Sequence, residues 1–231
     1  MTTLDLGGMF YQSESLPIAA QESVNLYLNI PQAVSPTKKN LFPTPGLTAA
    51  TTAGTGVVNR GGHVFQGVPY VVNGTGLYRI DRTTDAFAVD SYAAVLVSGA
   101  TLLPGTGRVI MSDNGAEGAQ ICIVLPDQSN KFNAYNYSIA GGLVQISDSD
   151  FDGPVSSVDY VDGYFLFAKQ DSQKQFISNL RNGTAYTATD FVLVESDPDS
   201  LVRMFILNNE PIGLGSETFE PFQNIGGAGF P

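Results

Sequence analysis

The chain has 231 residues, 43% of them hydrophobic, which is enough apolar mass for one large or two small globular domains. It carries 11 Lys and Arg residues against 22 Asp and Glu residues, giving a net charge of −11, and its longest basic run is Lys38-Lys39. This composition excludes a disordered chain and argues against tight binding to DNA, whose phosphates attract a basic surface.

The chain shows no signal for a membrane or for secretion. No stretch approaches the roughly 20 apolar residues of a membrane span, and the first residues, "MTTLDLGGMF", lack the basic and apolar regions of a signal peptide. We therefore expect a protein that stays in the cytosol of the cell that makes it and has no membrane partner.

A rigid corner is predicted in "NLFPTPGLTA", residues 40–49. Pro43 and Pro45 fix φ and lack an amide donor, which excludes a helix or a central strand, while Gly46 permits a turn.

Hydrophobicity alternates with a period of two through most of the chain, which predicts an all-β fold. "VPYVVNGTGLYRID" at 68–81 is a hairpin turning at Asn73-Gly74, and "KFNAYNYSIAGGLVQISD" at 131–148 is another turning at Gly141-Gly142. No segment sustains the spacing of an amphipathic helix. Cys122, the only cysteine, lies in "QICIVL" and is predicted to be a small buried hydrophobic residue of a strand.

A longer repeat is visible at blade-sized intervals. A glycine or asparagine turn precedes an apolar run in "GVPYVVNG" at 67, "GRVIMSDN" at 107, "DGYFLFAK" at 162 and "NEPIGLGS" at 209. The preceding segments also have the pattern of strands: "GHVFQ", "TLLPG", "SSVDYV" and "RMFIL". Because propeller blades carry four strands in roughly 40–50 residues, we predict a β-propeller of about four blades. A β-sandwich is the alternative for such short strands.

One acidic turn has the beginning of a calcium-binding loop. In "DSDFDG", Asp148, Asp150 and Asp152 occupy alternate positions before a glycine, as oxygen ligands do around a hard cation. The match then fails, because Pro154 follows the glycine and Asp159 stands where the bidentate glutamate is required. Two interpretations are open: a cation site, or an acidic turn that connects two blades. The second is favoured, because Asp and Gly are typical of tight turns.

Catalytic chemistry is not predicted, and neither is a cofactor. His63 is the only histidine, and neither a nucleophile elbow nor a serine in triad order accompanies it, so it is expected to pack or meet solvent at a strand. "SDNGAEGAQ" at 112–120 begins like a sialidase Asp-box but lacks its Thr-aromatic end, and the chain has no tryptophan to support a sugar. We expect no enzyme, no cofactor and no catalytic or metal residues.

Several segments resemble one family. These are "GGMFYQSESLPIAAQESVNLYLNI", "LFPTPGLT", "SSVDYVDGYFLFAKQDSQKQFISNL" and "LNNEPIGLGSETFEPFQNIGG", with "VNLY", "PTPGL", "VDGYFLF" and "FISNL" as the most specific pieces. Together they resemble the packaged-DNA stabilisation proteins, or tail accessory factors, of short-tailed bacteriophages. The resemblance covers most of the chain and rests on structural motifs, not on chemical ones.

The resemblance implies a structural protein of the virion tail. In such a protein the proline-rich corner joins an N-terminal arm, residues 1–50, to the blades of a β-propeller, residues 51–231. Leu41, Phe42 and Leu47 are then expected to staple the corner to the propeller. Members of this family form a homo-oligomeric ring, the tail hub, that attaches below the portal and its adaptor, meets the tail needle or tailspike proteins, retains packaged DNA and forms the tail channel. We expect the DNA to pass without specific binding along an acidic or neutral channel, since like charge keeps a polyanion from adhering. The alternative is a host-receptor or glycan-binding propeller of the tail.

Two further expectations concern packing. In "DGYFLF", Phe165 and Phe167 alternate with Leu166 and are expected to point to one face and pack between blades. The propeller also looks incomplete, because four units end at the loop "NIGGAGFP" and the similar family has longer chains. We expect the apolar edge near residues 202–222 to be covered by a further segment or a neighbouring subunit, and the chain alone to aggregate.

Overall fold

The computed structural model describes residues 26–29, 40–43, 49–54, 57–194 and 199–224. The chain divides into two units, Met1–Ala49 and Ala50–Pro231. Among the described residues, no helix has the length and apolar character that crossing a membrane requires.

In the first unit, two strands form an antiparallel hairpin. Strand β1 (Leu26–Asn29) pairs with β2 (Asn40–Pro43), and Leu26 stands opposite Pro43. Pro43, which has no N–H to donate, is the last residue of β2, and β1 is the one strand that pairs with β2 among the residues that the structure describes. The rest of the predicted corner, including Leu47, lies outside the described residues, so the staple remains a prediction.

The described residues of the second unit form fifteen strands in four antiparallel sheets, which we call blades 1 to 4. Each blade is a meander in which consecutive strands pair. Blade 1 contains β3 (Asn59–Phe65), β4 (Val68–Asn73), β5 (Gly76–Thr84) and β6 (Asp90–Leu96). Blade 2 contains β7 (Ile110–Asp113), β8 (Gln120–Val124), β9 (Ala134–Ser138) and β10 (Gly142–Gln145).

The other two blades follow the same order. Blade 3 contains β11 (Val155–Val161), β12 (Tyr164–Lys169), β13 (Lys174–Asn179) and β14 (Asn182–Leu193). Blade 4 contains β15 (Leu201–Leu207), β16 (Glu210–Gly215) and β17 (Phe219–Pro221). The first strands, β3, β7, β11 and β15, contact one another in sequence. They are therefore the innermost strands of a β-propeller, which confirms the predicted fold class.

Turn chemistry explains the first hairpin of three blades. Three first hairpins turn on two residues with positive φ, Gln66-Gly67, Asp162-Gly163 and Asn208-Asn209, which is the type I′ geometry that matches the twist of paired strands. The two hairpins predicted at Asn73-Gly74 and Gly141-Gly142 are also present, with their turns at Gly74-Thr75 and at residues 139–141.

Blade 2 corrects one prediction about the repeat. "GRVIMSDN" contains β7, the first strand of its blade, whereas the other three anchors contain second strands, and "TLLPG" at 101–105 is irregular instead of a strand. The reason is the first connection of blade 2: residues 114–119 include a one-turn helix, α1 (Gly115–Gly118), instead of a two-residue turn. Because the short first turn is missing in blade 2, the repeat alignment matched β7, the first strand of this blade, to the second strands of the other three blades.

The core consists of three apolar clusters, one between each pair of consecutive blades. In β8, Ile121 and Ile123 face blade 1, while Cys122 and Val124 face blade 3. Such strands are buried on both faces, so their sequences are apolar without alternation. Cys122 is fully buried, as predicted, and burial raises the pKa of its thiol.

The same rule holds in blade 3 and confirms the expectation for its phenylalanines. Phe165 and Phe167 lie in the cluster against blade 2, while Leu166 lies in the cluster against blade 4. The ring of Phe167 stacks on Phe176 with centroids 5.3 Å apart and meets Phe151 edge to face at 5.6 Å. Aromatic contacts of this kind add stability beyond the area that they bury.

Candidate functional site: the seams between the blades

The innermost strands of blades 1, 3 and 4 align residue by residue. Each has a bulge near its start, between Asn59 and Gly61, Val155 and Ser157, and Leu201 and Arg203, and each ends in a type I′ turn. The aligned segments are therefore 59–67, 155–163 and 201–209. Equivalent positions in these segments can be compared directly, and they show how one blade is attached to the next.

The seam between blades 3 and 4 is held by two side chains of β11. The Oγ atom of the buried Ser157 accepts a hydrogen bond of 2.9 Å from the backbone N–H of Met204. Two residues further, Asp159 Oδ2 accepts one of 2.9 Å from the backbone N–H of Ile206. Because the N–H groups of an innermost strand lack a strand partner on that side, these oxygens satisfy donors that would otherwise be orphaned.

The same carboxylate reaches back to blade 2. Asp159 Oδ1 accepts a hydrogen bond of 3.2 Å from the hydroxyl of Ser112 in β7, and one of 2.9 Å from the N–H of Tyr160. One half-buried carboxylate therefore joins the innermost strands of three consecutive blades.

The seam between blades 1 and 2 contains the only histidine of the chain. His63 Nε2 lies 2.5 Å from Asp113 Oδ2, and the other oxygen of Asp113 accepts a hydrogen bond of 2.7 Å from the N–H of Gly115. Both side chains are about a quarter exposed. His63 occupies the position equivalent to Asp159, so its partner on the next blade is a seam contact and not a triad.

A buried arginine closes the same seam at the other end of β3. The side chain of Arg60 is fully buried, and its guanidinium donates to the carbonyl oxygens of Gly107 at 2.9 Å and Leu103 at 3.0 Å. It also pairs with Asp127 at 3.1 Å. The planar fork of arginine suits such a set of partners, which lie on the two blades and their connection.

The carboxylates of the acidic turn before blade 3 accept hydrogen bonds from groups of this chain. Asp152 accepts hydrogen bonds from Lys169 at 2.6 Å and Lys174 at 2.7 Å, and Asp148 accepts one from the N–H of Asp150 within the turn. Among the residues that the structure describes, no group of three or more His, Cys, Asp or Glu is placed to hold a metal ion. The arrangement is that of an acidic connection between blades.

Sequence reasoning did not identify the seam residues. Ser112 and Asp159 were considered only as parts of an incomplete Asp-box and an incomplete calcium loop, Ser157 belongs to no motif, and Arg60 precedes two glycines in a segment without a recognised pattern. One signal was available: Asp159 is the only charged residue of β11, whose sequence is VSSVDYV. A charge in such a place requires partners, and here they lie about one blade repeat away on either side.

Comparison with known proteins agrees with this architecture. Residues 3–231 match the model of a phage stabilisation family that is described as "Bacteriophage P22 Gp10, beta-propeller". A comparison with curated proteins found no match. The family match extends over both units and over all four blades, so the chain belongs to this phage stabilisation family and is a bacteriophage structural protein built on a β-propeller.

Proposed function

We propose that the protein is a hub subunit of the phage tail. In this proposal, copies of the chain form a ring below the portal and its adaptor, retain the packaged DNA and form part of the tail channel, in contact with the tail needle or tailspike proteins. The observation that carries the proposal is the family match over residues 3–231. Synthesis in the host cytoplasm and a place in the tail of the virion follow from the same proposal.

The seams support a scaffold role without catalysis. The groups that chemistry would use, His63, Asp113 and Asp159, are engaged in joining blades. Side chains that hold neighbouring strands together are constrained in position, which suits a rigid scaffold that presents its loops to other subunits.

The charge distribution supports DNA passing without adhering. Most basic side chains of the described residues contact carboxylates: Arg60 with Asp127, Arg79 with Asp81, Arg82 with Asp90, and Lys169 and Lys174 with Asp152. Together with a net charge of −11, this leaves few cations for phosphates. We expect no tight, salt-sensitive complex between the purified protein and duplex DNA.

The test is reconstitution with the portal–adaptor complex of the same phage. Purified chain is mixed with the complex, and co-migration is followed by gel filtration and negative-stain microscopy. A hub subunit binds the complex as added density below the adaptor, whereas a receptor-binding propeller leaves it free and binds host cells or glycan arrays instead.

DNA retention is tested separately. Packaged heads from a phage that lacks the gene are incubated with or without the chain, and released DNA is measured by nuclease sensitivity. We expect added chain to reduce the release. Equal release with and without the chain would contradict a role in retention.

A further inference from the structure

The connection between β8 and β9, residues 125–133, is longer than its counterparts in the other blades. The second and third strands are joined by residues 74–75 in blade 1, 170–173 in blade 3 and 216–218 in blade 4. The backbone groups of a longer connection need partners outside its own hairpin. We call residues 125–133 the strap, because those partners lie on both sides of blade 2.

Asp127 and Gln128 attach the strap to the side of blade 1. Asp127 accepts a hydrogen bond of 3.1 Å from the buried guanidinium of Arg60 in β3, and another of 3.1 Å from the N–H of Gly107. Gln128 Nε2 donates one of 3.1 Å to the carbonyl oxygen of Pro104. Pro104 and Gly107 belong to the segment that leads from β6 to β7, so the strap is bound both to blade 1 and to the segment that follows it.

Asn133 attaches the strap to blade 3. It is fully buried, its Oδ1 atom accepts a hydrogen bond of 2.9 Å from the N–H of Val155, and its Nδ2 atom donates one of 2.8 Å to the carbonyl oxygen of Val155. Val155 is the first residue of β11. Nδ2 also donates to the carbonyl oxygen of Leu125 at 3.0 Å, at the start of the strap. The amide therefore makes with β11 the pair of bonds that a neighbouring strand would make.

Gln170 strengthens the same attachment from the connection between β12 and β13. Its Nε2 atom donates to the carbonyl oxygens of Pro126 at 3.1 Å, Gln128 at 3.2 Å and Val155 at 3.0 Å. One side chain of blade 3 thus binds the strap and the first residue of β11 together. Pro126 and Gln128 flank Asp127, so the residue that contacts blade 1 stands between two residues that are held by blade 3.

These contacts form one hydrogen-bond network that runs from blade 1 to blade 3 through the strap. Hydrogen bonds in one network are not independent, since moving one group disturbs the partners of the next. We infer that the strap couples the two seams of blade 2, so that an opening between blades 1 and 2 also loosens the attachment of β11 to blade 2. Blades 1 to 3 then open as one unit. The coupling is a property of the single chain and does not depend on its place in the phage.

The first test is amide hydrogen exchange, followed by NMR in the full chain. Asp127→Ala releases the strap from blade 1 without changing a group that contacts Val155. The N–H of Val155 should exchange roughly tenfold faster, because the loosened strap no longer holds its acceptor, while that of Ile206 in the next seam should keep its rate. Asp81→Ala is the matched control, since it also removes a carboxylate paired with an arginine of blade 1, Arg79, but lies outside the strap.

The second test is a double-mutant cycle between Asp127→Ala and Gln170→Ala. Among the described hydrogen bonds, none joins these two side chains directly. The melting temperature of the double variant should fall by less than the sum of the two single falls, because a strap released at one side is held less well at the other. Combining Asp81→Ala with Gln170→Ala should give additive falls. Gln128→Ala is the milder variant if Asp127→Ala does not fold, since it removes the bond to Pro104 at the surface.

Three results would overturn the inference. The first is a wild-type exchange rate of the Val155 N–H in both Asp127→Ala and Gln128→Ala. The second is an equal acceleration at Val155 and Ile206, which would indicate a global loss of stability instead of coupling through the strap. The third is additive falls in melting temperature for Asp127→Ala and Gln170→Ala. None of these results bears on the tail hub, which the portal–adaptor experiment tests independently.

Discussion

Asp159 Oδ2 accepts a 2.9 Å hydrogen bond from the backbone N–H of Ile206, and this contact joins the innermost strand of blade 3 to that of blade 4. The other oxygen of Asp159 accepts one from Ser112 of blade 2 at 3.2 Å. The stacking of three blades therefore depends in part on a single carboxylate. Its removal takes away the acceptor of the Ile206 N–H, of the Tyr160 N–H and of the Ser112 hydroxyl.

Asp159→Ala is expected to lower the free energy of unfolding by about 1–3 kcal/mol, the cost of leaving buried donors unpaired. Asp159→Asn should cost less, because the amide oxygen can still accept one of the bonds. Urea unfolding followed by circular dichroism measures both. Asp150→Ala is the control, since Asp150 is exposed and should be replaced without measurable loss. Equal stability of Asp159→Ala and the wild type would mean that the seam contacts contribute nothing.

Arg60→Met is expected to destabilise the protein by about 2–4 kcal/mol. The buried guanidinium donates to the carbonyl oxygens of Gly107 and Leu103, which would lose this donor, and it pairs with Asp127, which would lose its cation. Arg79→Met is the matched control, because Arg79 pairs with Asp81 at the surface, where ion pairs contribute little. If thermal unfolding shifts equally in the two variants, the buried cluster does not hold blades 1 and 2 together.

Phe165→Ala is expected to cost about 3–5 kcal/mol, as large-to-small substitutions in a core do. Phe165 is fully buried in the same cluster as Cys122, whose thiol should not react with a disulfide reagent in the folded wild-type protein. The variant should therefore also label faster at Cys122. Phe87→Ala is the control, since Phe87 is 86% exposed. A variant with wild-type stability and no labelling would show that the cluster tolerates the cavity.

The pair of lysines around Asp152 predicts a component of acid sensitivity. Burial by itself raises the pKa of the Asp152 carboxyl, but hydrogen bonds and charges from Lys169 and Lys174 outweigh it, so its pKa is lowered in the folded protein. The stabilisation is present above the ordinary aspartate pKa of about 3.9 and is lost as the pH falls through the lower folded value.

Asp152→Asn should accordingly reduce the melting temperature at neutral pH. The difference from the wild type should shrink as the pH falls below about 3.9, because the Asp152 carboxylate of the unfolded wild type and then, at lower pH, that of the folded protein lose their charge. Melting curves across this pH range measure it, with Asp150→Asn as the control. A difference that is independent of pH would mean that the charge of Asp152 does not act through the two lysines.

The strands, and the face to which each side chain points, could be predicted from the sequence where local residue patterns determine them. Alternation placed Phe165 and Phe167 on one face, and turn residues such as Asp162-Gly163 located the hairpins. Blade 2 was assigned wrongly because α1 replaces the short turn on which the repeat was aligned.

The seams could not be predicted, because they depend on the stacking of blades. Ser112, Asp159 and Ile206 are successively 47 residues apart, and nothing in their local sequence specifies that they meet. The sequence could not decide between a cation site and a plain turn at residues 148–152 for a related reason. The spacing of the carboxylates is a local pattern, but the lysines that donate to Asp152, Lys169 and Lys174, come from other strands.

The place of the protein in the virion is the most direct test of the proposed tail hub. Virions carrying an affinity label on this chain can be imaged by electron microscopy with a bound gold particle. The proposal predicts gold at the neck and the tube below the portal. Gold at the tail tip would contradict it and would indicate a receptor-binding propeller instead.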